Sequence, residues 1–149
     1  MAVENHANLL NATLINGLIV AIVVMIHHHV LIQLNLLLAK MRRSHRFRLI
    51  VAVYGVLAAH SVQVWIFASA FYLMHHSEGW GRLAGNFSGS MLDCVYFSFT
   101  TFTTLGYGDI EAFGVLRFLT GIEALAGLVL ITWSASFLFV EMQRYWPTR

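Results

Sequence analysis

Thr103-Thr104-Leu105-Gly106-Tyr107-Gly108-Asp109-Ile110 breaks an otherwise greasy chain with hydroxyls, two glycines and a carboxylate. As a surface turn this stretch would mean little. At membrane depth it would be a built site, because irregular backbone is tolerated there only where it is buried in protein or lines water. Its surroundings decide between the two.

The chain has 149 residues, of which 58% are hydrophobic and 11% charged, with a mean hydropathy of +0.70. A soluble domain carries about a quarter charged residues, so the composition is that of a membrane protein. A single cysteine, Cys94, excludes a disulfide framework within the chain and leaves the redox compartment unread. The net charge of +2 comes with clustered basic residues, which bear on orientation and not on nucleic acid.

A helix crosses the bilayer in about 20 apolar residues. Three segments qualify: Leu14–Ala39, Leu49–Met74 and Val115–Val140. The N-terminal stretch offers Glu4, Asn5 and Asn8 where a cleaved signal would be basic, so the first segment is expected to stay as a helix. Lys40, Arg42, Arg43, Arg46 and Arg48 fall between the first two segments. The positive-inside rule makes that connection cytoplasmic, with the N-terminus outside and the C-terminus, bearing Arg144 and Arg149, inside. The cell membrane is the expected location.

The stretch from His75 to Phe113 is then outside, and it divides at Ser90. His75–Gly89 reads as an exposed glycine-rich turret. Ser90-Met91-Leu92-Asp93 fits a capping box, in which a hydroxyl and a carboxylate satisfy free N–H groups at a helix start. About twelve helical residues follow and span roughly 18 Å, enough to enter the membrane and not to cross it. Next comes the quoted stretch. Gly106 and Gly108 accept positive φ without penalty, so successive carbonyls can turn toward one axis. Thr104 adds a hydroxyl at the inner end. Rings of such oxygens can replace the hydration shell of a monovalent cation, and the negative end of the short helix would face the ion below them. One chain supplies one oxygen per layer, so the chemistry needs several copies around an axis.

Thr104-Leu105-Gly106-Tyr107-Gly108-Asp109 resembles the signature filter of potassium channels, a family whose TVGYG loop is a standard example of a selectivity filter. The family's outer helix, pore helix, filter and inner helix occur here in order from about Leu49 to Tyr145. Leu105 replaces the usual valine, but its carbonyl and not its side chain would coordinate. The resemblance implies an all-α membrane protein with three transmembrane helices, a re-entrant pore helix and a selectivity-filter loop, assembled as a four-fold homotetramer in the lipid bilayer. Residues 1–47 are an extra N-terminal helix with its basic connection, and residues 48–149 are the pore domain. K⁺ would bind at Thr104, Leu105, Gly106 and Tyr107, with Gly108 completing the filter, and it is the transported ion and the one cofactor expected. The chain is not expected to be an enzyme.

Several residues are expected to support the filter. Thr103 precedes it, and Tyr96 and Phe97 lie where the family keeps an aromatic cuff, or simply fill space between helices. Tyr96 is the candidate to hydrogen-bond Asp109, which would also concentrate cations at the mouth. Glu123, ionisable within a spanning helix, is by default functional: a buried hydrogen bond to the pore helix or filter backbone, an interfacial position and direct ion attraction are all open. Gly127 matches, within a residue, the family's inner-helix hinge, with Gly121 as a rival and close helix packing as the alternative. Leu128, Ile131, Ala135 and Phe139 recur at helical spacing and either line the cavity, with Phe139 as its narrowing, or face lipid or a packed helix.

No helix carries a periodic arginine array, so no voltage sensor is expected, and with the short stretch after Val140 no soluble regulatory domain is expected in the chain. Eight histidines prompt a rival reading as a metal- or haem-binding membrane protein. A non-conducting regulatory channel subunit is a second rival. His27-His28-His29 and His60 lie at matching depth in the first two helices, roughly 18 Å from the basic connection. His28 shares a stripe with Gly17, Ala21 and Asn35, a small face suited to close contact, and is expected to meet His60 as a packing, pH-sensitive or metal-binding pair.

Overall fold

The computed structural model describes residues 2–41 and 45–144. In chain order it runs α1 (Ala2–Lys40), α2 (His45–His75), β1 (Arg82–Gly85), α3 (Met91–Phe102), β2 (Ile110–Phe113) and α4 (Leu116–Gln143). Three helices are long and apolar enough to cross a membrane, over Leu10–Lys40, Arg46–His75 and Leu116–Gln143. Leu14, Leu18, Met25, Tyr54, Leu57 and Leu125 stand exposed on them. So large an apolar surface is stable only under lipid or another chain, and the chain is a multi-pass membrane protein. Of the basic residues behind the expected orientation, Arg42, Arg43 and Arg149 lie outside the described residues.

Helix α1 starts well before Leu14, because Ala2–Thr13 contains neither proline nor glycine to stop it. Its inward stripe is Ala12, Asn16, Val23, His27, Leu31, Leu34 and Leu38, all buried at steps of three, four or seven residues. This stripe packs on α2 and α4, while α3 packs between α2 and α4. The core where they meet includes Val23, Val64, Phe67, Phe71, Phe97 and Phe102.

The His75–Gly89 stretch is largely exposed, as expected of a turret, with Leu83 buried, but it also carries a strand. Its β1 pairs antiparallel with β2, from Arg82 opposite Phe113 to Gly85 opposite Ile110. Leu83 is buried on this strand, which gives the pair its apolar anchor. Gly81 and Gly85 have φ of +109° and +102°, and a Cβ on either would overlap a carbonyl of the facing segment. Close approach, not flexibility, selects glycine at both. Ser88, expected in the open, is exposed but engaged with Asp93.

The start of α3 is capped in a modified way. Ser90 Oγ accepts from Asp93 N at 3.1 Å. The Asp93 carboxylate reaches past Ser90 to Ser88, accepting from its hydroxyl at 2.6 Å and its amide at 2.8 Å. These bonds hold the Asp93 carboxyl below its usual range, with the Ser88 hydroxyl first among the causes. The cap fixes where α3 begins, and its other end delivers Thr103 and the segment that follows.

Candidate ion-conduction site

Between α3 and β2 the backbone changes hand at every second residue. Thr104, Gly106 and Gly108 have φ of +57°, +54° and +79°, whereas Leu105 and Tyr107 stay negative. Alternation of this kind gathers N–H groups on one side of the chain and carbonyls on the other. The N–H side is identifiable. Thr104 N donates to Thr101 O at 2.9 Å, and Leu105 N and Gly106 N both donate to Thr100 O, at 2.8 and 3.1 Å. The last turn of α3 thus takes up these three donors, while among the described residues the carbonyls of Thr104 to Gly108 accept no hydrogen bond. Thr104 holds its left-handed conformation without the exemption glycine enjoys, at a cost of about 1–2 kcal/mol. Backbone strain of this order gathers at functional sites. A Cβ on Gly106 or Gly108 would meet nothing within 4 Å, so these glycines serve conformation and not space.

The segment is propped from outside its own sequence. Tyr96 Oη donates to Asp109 Oδ2 at 2.9 Å, and Asn86 N donates to Asp109 O at 2.8 Å. Phe97 is buried, its ring edge-on to Phe71 at 5.0 Å. Residues 103–109 are all exposed on the single chain. Two grooves flank them: one of about 510 Å³ lined by Phe97, Tyr107, Ile110, Phe113 and Arg117, the other of about 500 Å³ lined by Leu92, Val95, Tyr96, Phe99 and Leu105.

On α4, Glu123 is fully buried and its Oε1 contacts the hydroxyl of Ser98 on α3. The same hydroxyl lies 2.9 Å from Val64 O on α2, so one side chain ties three helices together. A Cβ on Gly127 would overlap the Phe102 carbonyl, whereas Gly121 has open space beside it. Gly127 is therefore where α4 crosses the end of α3 at backbone distance. Leu128, Ile131, Ala135 and Phe139 run down a face of α4 that the chain leaves exposed. At the far end, Glu141 is buried between Arg48 Nη2 at 3.0 Å and Arg144 Nη1 at 3.1 Å, and Arg144 also reaches Asn35 on α1.

The expected partner of His60 is corrected. His27, not His28, meets it, with ring centroids 5.4 Å apart. His28 is exposed, its ring against Trp133 at 5.9 Å. The small face through Gly17 turned out exposed, with nothing near Gly17, because α1 docks through its Leu, Val and Asn stripe instead. Gln63 and Ser134 complete the contact. Gln63 Nε2 lies 2.9 Å from His27 Nδ1, and its Oε1 lies 2.9 Å from His60 Nδ1. Ser134 Oγ lies 3.1 Å from His60 Nε2 and 3.4 Å from His27 Nε2. The sequence reading passed over both residues, and over Ser98. Polar side chains within apolar spans, with Gln63 one turn from His60, were the available signal. Among the described residues, no group of three or more His, Cys, Asp or Glu comes together that could hold a metal ion.

A family profile described as an ion channel matches residues 59–144, more than half of the chain. The chain belongs to the ion-channel family that includes the potassium-channel pore. No curated protein and no solved structure matches it. The match takes in most of α2 and all of α3, the Thr103–Asp109 segment and α4. In this channel, α1 lies outside the matched region and reaches it through His27.

Proposed function

We propose that the channel conducts K⁺ passively, as a ring of four copies whose Thr104–Tyr107 carbonyls form the selectivity filter. One observation carries this reading: the N–H groups of Thr104, Leu105 and Gly106 are bound by the carbonyls of Thr100 and Thr101, which leaves a row of oxygens for a guest. Carbonyl rings of this kind replace the hydration shell of K⁺. The two grooves beside the segment support assembly, since each would be filled by a neighbouring copy. α3 then enters the membrane part-way as a re-entrant pore helix, with its partly negative C-terminus toward the ion path. Leu128, Ile131 and Ala135 line the cavity, and Phe139 narrows it at the cytoplasmic end. Residues 48–149 form the pore domain, with α1 and the basic connection added in front. The N-terminus lies outside the cell membrane and the C-terminus inside. No chemistry is catalysed, and K⁺ is cargo.

The experiment is current through purified channel in planar bilayers, with K⁺ and Na⁺ on opposite sides. A reversal potential close to the K⁺ equilibrium value is expected. Equal permeability to the two ions would overturn the proposal, and so would protein that inserts and passes no current.

A further inference from the structure

The four side chains that join α1, α2 and α4 form a closed circuit. Gln63 bridges the two Nδ1 atoms, and Ser134 bridges the two Nε2 atoms. Donors and acceptors can be counted around it. The Gln63 amide donates to His27 Nδ1, so His27 carries its proton on Nε2 and donates to Ser134 Oγ. The Ser134 hydroxyl then donates to His60 Nε2, which leaves the His60 proton on Nδ1 to meet Gln63 Oε1. Each group gives one hydrogen bond and receives one. Turning the amide over reverses the circuit and exchanges the two tautomers, but the count is unchanged. Either way both imidazoles are neutral and of opposite tautomer.

An added proton spoils the count. One fits only if the Ser134 hydroxyl turns out of the circuit, so that its oxygen accepts from both rings. A second sets N–H against N–H at Gln63. No other charge compensates. Around the circuit, α1 offers only His28 and His29, and it has no charged residue between Glu4 and Lys40. α2 carries no carboxylate, and its arginines, Arg46 and Arg48, lie three turns or more from His60. α3 brings the ring of Phe102, 5.6 Å from His60, and its one carboxylate, Asp93, is at its far end. On α4 the acids are Glu123, held by Ser98, and Glu141, held by Arg48 and Arg144.

A proton also has a route in. His60 and Ser134 stand in the wall of a mostly apolar cavity of about 400 Å³ that also includes Ser61, Thr103, Ile131 and Ala135. Ile131 and Ala135 are two of the residues assigned above to the water-filled path.

We infer that the His27–Gln63–His60–Ser134 circuit is a proton-binding latch through which α1 holds the inner helix α4. The direction of its effect follows from the faces of α4. Ser134, on the buried stripe of α4 with Gly127 and Leu130, meets α1 and α2, whereas Leu128 and Phe139 stand exposed. The closed circuit therefore holds the lower half of α4 back from the axis. Protonation releases it and lets Phe139 move inward, so acid reduces current. The circuit stands by itself, and its effect on current rests on the channel reading above.

Two measurements test this separately. The first is ¹⁵N NMR of histidine-labelled channel in bilayers at about pH 7.5, above the ordinary imidazole range, with His27→Gln and His60→Gln spectra to assign the rings. One Nδ1–H and one Nε2–H imidazole are expected, and two rings of the same tautomer, or a charged one, would overturn the circuit whether or not the protein conducts. The second compares K⁺ current at about pH 7.5 and about pH 5.5, either side of the imidazole range. Current is expected to fall at least about fivefold, the lower end of ordinary coupling between sites. The fall should vanish in His60→Gln, shrink in the milder Ser134→Ala, and persist in His29→Gln. A pH response unchanged by His60→Gln and Ser134→Ala would remove the latch and leave the filter reading intact.

Discussion

Phe102 touches two polar constructions that use their hydrogen bonds in opposite ways. On its C-terminal side, the Thr103–Asp109 segment has the N–H groups of Thr104, Leu105 and Gly106 bound by α3 and the carbonyls of Thr104 to Gly108 free, with every residue exposed. Against its ring lies the His27–Gln63–His60–Ser134 circuit, in which each group gives one hydrogen bond to the next and receives one. Buried polar groups left unpaired are costly. A row of acceptors without donors therefore marks a place for something that is not protein, and a closed count marks a joint. The first takes a guest; the second holds helices together until the count changes.

The largest expected effect comes from opening the joint. Gln63→Leu strands the Nδ1 atoms of both imidazoles, at about 1–3 kcal/mol for each fully buried group. Thermal unfolding of the detergent-solubilised channel should shift down by several degrees, with K⁺ preference over Na⁺ intact in whatever current remains. An unshifted midpoint would show that the circuit is not a joint. Next is Gly127→Ala, whose Cβ must displace the Phe102 carbonyl. Overpacking of this kind costs about 1–3 kcal/mol, and because Phe102 leads into Thr103 the current should fall along with the stability. Loss of one without the other would separate the crossing from the filter.

Gly106→Ala should reverse that balance. There is room for the methyl, so the penalty is the left-handed backbone alone, about 1–2 kcal/mol. The protein should insert and assemble, yet K⁺ current should fall below detection. Normal current would mean that the alternating backbone is not the conduction path. The smallest effect belongs to Ser88→Ala. Asp93 has a depressed carboxyl because Ser88 bonds its charged form, so that stabilisation is present above the ordinary carboxylate range and is lost as pH falls through the lower folded value. The variant should be slightly less stable at neutral pH and should converge on the parent in strong acid. A gap that persists into strong acid would give the hydroxyl some other role.

Local signals in the sequence reached as far as local physics does. Length and hydropathy marked the three spans, and Ser90 marked the start of α3 to the residue, because a cap depends on neighbours within one turn. The glycine positions at 106 and 108 announced a special backbone, but the left-handed Thr104 was not legible, since threonine ordinarily avoids that region. The β1–β2 pair was missed because each strand is four residues long and its partner lies beyond α3. His28 was preferred to His27 on the strength of a small face, when the apolar stripe from Ala12 to Leu38 is what docks α1. Glu123 could be flagged as a buried acid in a span, but Ser98, which meets it, and Val64, whose carbonyl meets Ser98, come from two other helices.

The β1–β2 pair also has a consequence for how the chain is assembled. By joining residues 82–85 to residues 110–113, it closes a loop that contains all of α3 and the Thr103–Asp109 segment. Once the strands meet, both ends of that loop are fixed, and α3 searches for its seat between α2 and α4 as a tethered body. Loop closure depends on length only logarithmically, about 0.6 kcal/mol for each doubling. Extra residues placed at Gly89, where the backbone is left-handed and the space around it is open, would therefore cost little in closure. A longer loop there would leave the seat of α3 where the strands and Gly127 put it.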